Sequence, residues 1–247
     1  LGVGVLVNNK RKMTTISIPA PARKRYALVF DVETTGLIPK QGRGSIRSIP
    51  ITEYPYIIQF AFVLYDMIDG QIVQLFDSYV RIPDLVQIPE KVTELTGIHK
   101  LTCHVRGRPI VDCLAAFTEA YKMAECVVAH NLEFDQEMVA IEIERNRAEI
   151  MVRAPHITML FQPVNERVRN LEKYCTMKNG TSLCNIVTGG DEESGRPPRL
   201  KWPKLGELFE FLFDGETADG LHNAIVDVKA CLRCYLKMRH NIVLRAF

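Results

Sequence analysis

No stretch of the 247-residue chain approaches the ~20 consecutive apolar residues that a membrane-crossing helix needs. The opening LGVGVLVNN has no basic segment ahead of it of the kind a secretory signal carries. Charge of one sign is also missing: 31 Lys and Arg against 29 Asp and Glu leave +2, so affinity for a polyanion has to come from local clusters. An even cysteine framework is absent. The seven cysteines, Cys103, Cys113, Cys126, Cys175, Cys184, Cys231 and Cys234, sit mostly in apolar stretches, which points to reduced thiols. No internal repeat is present. Together these absences set the expectation of a soluble intracellular protein, in cytoplasm or nucleus, without membrane contact.

What is present can build a sizeable core, with 47% hydrophobic and 24% charged residues. The length exceeds the ~150 residues of an average domain, and the expected organisation is a polar, basic tail over residues 1–24 followed by one α/β domain over 25–247. RYALVFDVE reads as a central strand covered on both faces. YIIQFAFVLYD and QIVQLFDSYVRI read as two further strands joined by MIDG. PEKVTELTG places Pro89 and Gly97 at the two ends of a short helix. Helical spacing marks PIVDCLAAFTEAYKMAE, LEFDQEMVAIEIERNR, KLGELFEFLFDG and a last helix from about Asn223, with CVVAHN a buried strand between the first two. Residues 145–203 carry a weaker pattern and are expected to be an insertion, in which KNG would turn a hairpin and TGGDEESGRPPR would form a loop.

Acids occur where apolar residues are expected. Asp31 and Glu33, two apart at a strand end, point to one face. Asp135 has Leu132, Met138 and Val139 as its helical neighbours, and Asp227 lies between Ala224 and Cys231 on the last helix. Singly, each could be a strand end, a helix-dipole partner or a core-edge acid paired with Arg or Lys. Jointly, oxygen ligands from one strand end and two helix starts suit Mg²⁺ or Mn²⁺, and that strand end is where ligands bind in open α/β sheets. His222, five residues before Asp227, is placed to accept a proton from water at such a cluster.

FDVETTG at 30–36, AHNLEFD at 129–135 and HNAIVD at 222–227 resemble the three separated motifs of the DEDD exonuclease superfamily, in its histidine-bearing branch. That branch includes the proofreading epsilon subunit of bacterial DNA polymerase III and the TREX-type exonucleases. LTGIHK at 95–100 is similar to the family's substrate-side loop, and the resemblance spans about residues 25–240. It implies a ribonuclease H-like α/β fold, a central five-stranded mixed sheet flanked by helices, and metal-dependent release of nucleotides from 3′ ends. By that likeness Asp31 bridges two Mg²⁺ or Mn²⁺ ions, Glu33 and Asp227 complete the first site, Asp135 holds the second ion, and His222 is the general base.

The turn Thr34, Thr35 and Gly36 suits close approach of a terminal nucleotide, and Leu37, Ile98 and Phe134 match positions that wedge or stack bases in relatives. Ordinary core packing is the competing reading for those three, and Asn131 is expected to order the Asp135 turn. The implied partners are single-stranded or frayed 3′ ends of DNA, with RNA ends as the alternative, and a polymerase or other replication protein. A catalytically silent nucleic-acid-binding module is the rival from another class.

The link IPKQGRGSIRSIPITEYP and residues 145–200 are longer than the family's pattern. Lys40, Arg43, Arg47, Arg106, Arg108, Arg196, Arg199 and Lys201 lie in loops that could follow phosphates or be solvated surface. Cys231 and Cys234 in CLRC have half of a zinc spacing but sit mid-helix, and core thiols are the better reading.

Overall fold

The computed structural model describes residues 24–39, 49–189 and 198–244. The expected tail, apart from Lys24, and the cations Lys40, Arg43, Arg47 and Arg196 lie outside those residues. The strands are β1 (Tyr26–Thr34), β2 (Ile57–Asp66), β3 (Gln71–Tyr79), β4 (Cys126–Ala129) and β5 (Glu172–Cys175), with a separate short pair, β6 (Val187–Thr188) and β7 (Arg199–Leu200). The helices run α1 (Glu90–Thr96), α2 (Lys100–Arg106), α3 (Ile110–Met123), α4 (Leu132–Arg145), α5 (Arg147–Arg153), α6 (Pro163–Val168), α7 (Thr176–Cys184), α8 (Leu205–Leu212) and α9 (Ala224–His240).

β1 has strand neighbours on both edges and packed layers on both faces. It pairs antiparallel with β2 and parallel with β4, β3 extends the sheet beyond β2 and β5 beyond β4, giving the order β3-β2-β1-β4-β5. Alternation along the strand sorts its side chains into two cores. Leu28, Phe30 and Val32 join residues of α3 and α4 on one face, whereas Ala27 and Val29 join α8 and α9 on the other.

The two faces are packed differently. On the α3 face, Phe30, Phe60 and Phe62 surround Phe117 at ring-centroid distances of 5.0, 5.2 and 5.6 Å. Aromatic pairs of this kind add roughly 0.5–1.5 kcal/mol each beyond the area they bury. On the α9 face the sheet offers the smaller Ala27, Val29, Ala61 and Val63, over which a helix can lie close. A satellite core of Ile58, Ile82, Ile98 and Cys103 seats α1 and α2.

Three local expectations change. The strand expected through Ile82 ends at Tyr79, beyond which Val80 forms only an isolated parallel bridge with Arg108. The Arg108 N–H donates to the Tyr79 carbonyl (2.9 Å) and the Arg81 N–H to the Arg108 carbonyl (2.8 Å). KNG is not a hairpin: Asn179 and Gly180 lie inside α7. Gly180 serves close packing rather than a turn, since a Cβ placed there would stand 2.8 Å from Leu208 Cδ1 of α8. Residues 145–203, besides α5, α6 and α7, supply β5, an edge strand of the main sheet.

The Gly180 contact gives a direct test. Gly180→Val forces a branched side chain against the fully buried Leu208 and should lower unfolding free energy by about 1–3 kcal/mol, read from the urea midpoint. An unchanged midpoint would contradict this account of the α7–α8 packing.

Candidate active site

On β1, Asp31 and Glu33 share the face of Ala27 and Val29, so they point toward α9. Pairing of β1 with β4 runs from Ala27↔Cys126 to Val29↔Val128, which leaves the end of β1 open on that edge. The first turn of α4 fills the opening: Asp135 is buried and the Val32 backbone hydrogen-bonds to its carboxylate. Asn131 adopts the left-handed conformation (φ 72°) at the N-cap of α4 and makes no side-chain cap bond; it turns the chain from β4 into the helix.

Asp227 lies in the first turns of α9, and its carboxylate is tied to the preceding loop. The His222 N–H donates to both of its oxygens (3.2 and 3.3 Å), while the Asp227 N–H donates to the Asn223 carbonyl (2.9 Å). His222 itself has φ 70° and is exposed. Carboxylate oxygens of Glu33 and Asp227 and a ring nitrogen of His222 all lie within 4.8 Å of one another.

Four carboxyl groups thus meet, Asp135 buried and Asp31, Glu33 and Asp227 partly buried. Burial pushes Asp31 well above the ordinary carboxylate range, and Asp135, Asp227 and Glu33 push it further. Burial likewise raises Asp135, against the downward pull of the Val32 hydrogen bond. Glu33 is pushed up to about 7 by burial and by Asp227, and Asp227 to about 7 by burial, opposed by the His222 N–H. Asp135 Oδ2 is buried with no hydrogen-bond partner. An orphaned carboxylate oxygen facing three more carboxyl groups is a donor set for a hard divalent cation, so the residues present fit Mg²⁺ or Mn²⁺.

Gln59 on β2, which sequence reasoning passed over, holds this arrangement together. It sits opposite Glu33 in the β1–β2 register and is buried. Its Oε1 accepts the Ala224 N–H at the start of α9 (3.2 Å), and its Nε2 donates to Asn223 Oδ1 (3.2 Å) and Asp77 Oδ1 (2.8 Å). The legible signal is a lone amide inside a strand every residue of which is buried. His130, by contrast, is fully engaged: Nδ1 lies 3.0 Å from Thr176 Oγ1 and Nε2 3.1 Å from the Pro203 carbonyl. Burial lowers it to about 4, so it stays neutral.

The expected nucleotide contacts fall in different places. Thr34 is buried, its hydroxyl donating to the Gly36 carbonyl (2.7 Å), and Thr35 Oγ1 accepts the Tyr56 N–H (2.9 Å). A Cβ on Gly36 would meet nothing within 4 Å, and Leu37 is 85% exposed. Phe134 is half-buried against the main core, whereas Ile98 is 2% exposed in the satellite core and has almost no surface for a base. Arg106 and Arg108 lie over the rings of Tyr79 and Phe76, Lys201 pairs with Glu207 (2.5 Å), and Arg199 is exposed. Cys231 and Cys234 are buried in α9.

The profile of the RNase_T exonuclease family matches residues 28–235. No curated protein matches the sequence. Among solved structures, E. coli exonuclease I in complex with a dT13 oligonucleotide is similar with a TM-score of 0.57 at 15% identity, over 88% of this chain and 42% of that one. A 3′-exonuclease described in 3′-end recognition of a histone mRNA stem-loop gives 0.57 at 17%, over 87% and 63%. The nuclease domain of 3′hExo, a DEDDh family member, bound to rAMP, gives 0.56 at 18%, over 90% and 95%. The chain therefore spans less than half the length of exonuclease I. At these identities the likeness is one of fold, the ribonuclease H-like α/β architecture.

The raised acids make stability depend on pH. Unfolded carboxyls ionise near 4, whereas Glu33 and Asp227 hold their protons to about 7 in the folded chain, so stability is lost as pH rises from about 4 through about 7. In EDTA, Asp31→Asn removes one of the repelling charges. It should raise the melting temperature at pH 7.5, by about 2–4 °C for each kcal/mol relieved, with the advantage shrinking toward pH 4.5. An advantage independent of pH, followed by circular dichroism, would contradict the electrostatic account.

Proposed function

The chain belongs to the RNase_T exonuclease family, and we propose that it hydrolyses phosphodiester bonds from 3′ ends of nucleic acid in a metal-dependent reaction. The observation that carries this reading is the convergence of Asp31, Glu33, Asp135 and Asp227 with His222 beside them. Asp31, Glu33 and Asp227 would hold one divalent ion, and Asp31 with Asp135 would hold a second. When bound, such ions neutralise the four acids and stabilise the charge that develops on the phosphate oxygens.

The chain's own residues supply the remainder. His222 takes the proton of the attacking water, its imidazole being exposed and within 4.8 Å of the Glu33 and Asp227 oxygens. The Gln59 bridge and the His222 N–H keep Asp227 and the imidazole in register with β1. Thr34, Thr35, Gly36 and Leu37 form the turn against which the terminal nucleotide rests. Asn131 and Phe134 shape the entry to α4 beside it, and Ile98 supports this region from the satellite core. DNA ends are the first substrate and RNA ends the second, since the similar structures include a dT13 complex and an exonuclease of histone mRNA stem-loops. A silent binding module is disfavoured because one lost acid would disable the site, and all four are retained with His222.

Incubation with end-labelled single-stranded DNA, mismatched duplex or RNA should release mononucleotides with Mg²⁺ or Mn²⁺ and none in EDTA. Absence of release under every metal condition would refute the enzyme reading. Asp31→Asn should abolish turnover with the fold intact. His222→Ala should slow it by roughly 10²-fold or more and flatten the pH–rate profile; an unchanged profile would remove the imidazole from the base role.

A further inference from the structure

His222 comes from the loop between α8 and α9, residues 213–223, and that loop is sharply bent. Backbone φ is positive at Asp214 (53°), Gly215 (90°), Gly220 (76°) and His222 (70°). Left-handed backbone is costly for residues other than glycine and persists only where neighbours hold it. The end nearer α9 is held locally. Leu221 lies against Gly206 of α8, where an added Cβ would stand 3.0 Å from Leu221 Cδ1, and the His222 N–H reaches the Asp227 carboxylate. The middle is loosely packed, since a cavity of about 210 Å³ lies between residues 217–219 and Val226, Lys229 and Ala230 of α9.

The start of the loop is fastened by an ion pair from α9. Arg233 Nη1 donates to Glu216 Oε1 (2.7 Å) and Nη2 to Glu216 Oε2 (3.0 Å), a two-pronged contact that fixes direction as well as distance. The guanidinium lies 4.6 Å from the centre of the Phe209 ring and 4.5 Å from that of Phe213. The arginine side chain is only 12% exposed, and its Nε is buried with no hydrogen-bond partner. For packing alone this is a poor choice. A cation withdrawn from water with one donor unmet is destabilising, and an apolar side chain of similar length would fill the space beside the two rings without that loss. Such a side chain could not hold Glu216.

We propose that Arg233 and Glu216 are positioning residues for His222: the pair pins the start of the loop to α9, the helix that carries Asp227, and so limits how far the imidazole swings from the acid cluster. The proposal rests on the exonuclease reading, in which that imidazole takes the proton of the attacking water, and extends it to two residues outside the cluster. The reach of the effect is large, because a group misplaced by about 1 Å can slow a reaction by as much as 10²-fold.

The test is mononucleotide release with Mg²⁺ from the end-labelled oligonucleotide that the wild-type protein trims, with kcat and KM separated, in a cycle with His222. Glu216→Ala should lower kcat about tenfold, with KM and the melting temperature unchanged. In a His222→Ala background the same substitution should have little further effect on kcat, since the group it positions is gone. Glu216→Gln should recover most of the loss, because an amide oxygen still accepts from the guanidinium. Arg233→Met, which keeps length and packing, should reproduce Glu216→Ala. Amide exchange over residues 214–223, followed by mass spectrometry, should quicken in Glu216→Ala, a readout independent of turnover. An equal loss of kcat in both backgrounds, an unchanged kcat, or unchanged exchange would each overturn the proposal, while wild-type trimming would leave the exonuclease reading standing. If the wild-type protein trims no end under any metal condition, that reading falls and takes the proposal with it.

Discussion

Packing α9 against β1 places Asp227 against Asp31 and Glu33, and the rest of the molecule has to tolerate that contact. Like charges taken out of water repel each other and lose hydration at once, a cost met by neutralisation or by a bound cation. Here the acids are raised, one oxygen is left without a partner, and the scaffold around them is held by uncharged devices. Gln59 fastens the start of α9 to β2, and backbone N–H groups of Val32 and His222 steady two of the carboxylates. None of these supplies a full counter-charge, so among the described residues the cluster remains short of positive charge.

The asymmetry of the sheet follows from the same need. The α3 face carries interlocking phenylalanines and supplies rigidity, while the α9 face carries alanine and valine and allows the helix close enough for carboxylates on strand and helix to interact. Larger side chains at Ala27 or Ala61 would lift α9 and separate Asp227 from Asp31. The β1–β4 pairing stops at Val29, which lets α4 bring Asp135 to the strand end from the other side. Close packing on one face and early termination on one edge together create a site deep enough to raise its acids.

Much of this was legible because period and burial conflict at a few residues. Asp31 and Glu33 interrupt an apolar strand, and Asp135 and Asp227 interrupt apolar helical stripes, so a local pattern exposes each of them. The parts that were not legible depend on contacts distant in the chain. Gly180 reads as a turn residue until Leu208 is known to lie against it, and the short β5 has no distinctive period of its own. Gln59 and Arg145 are ordinary polar residues in sequence, and their roles exist only through partners such as Ala224, 165 positions away, and Tyr54, 91 away. Ile98 shows the reverse difficulty, since a motif position matched to base contacts is occupied by a side chain that the core claims.

The placement of charge bears on how a polyanionic strand could approach four acids at all. Among the described residues several cations are committed elsewhere: Arg145 donates to the Tyr54 carbonyl, Arg106 and Arg108 lie over rings, and Lys201 pairs with Glu207. Cations bound at the four acids would supply the counter-charge that these side chains do not.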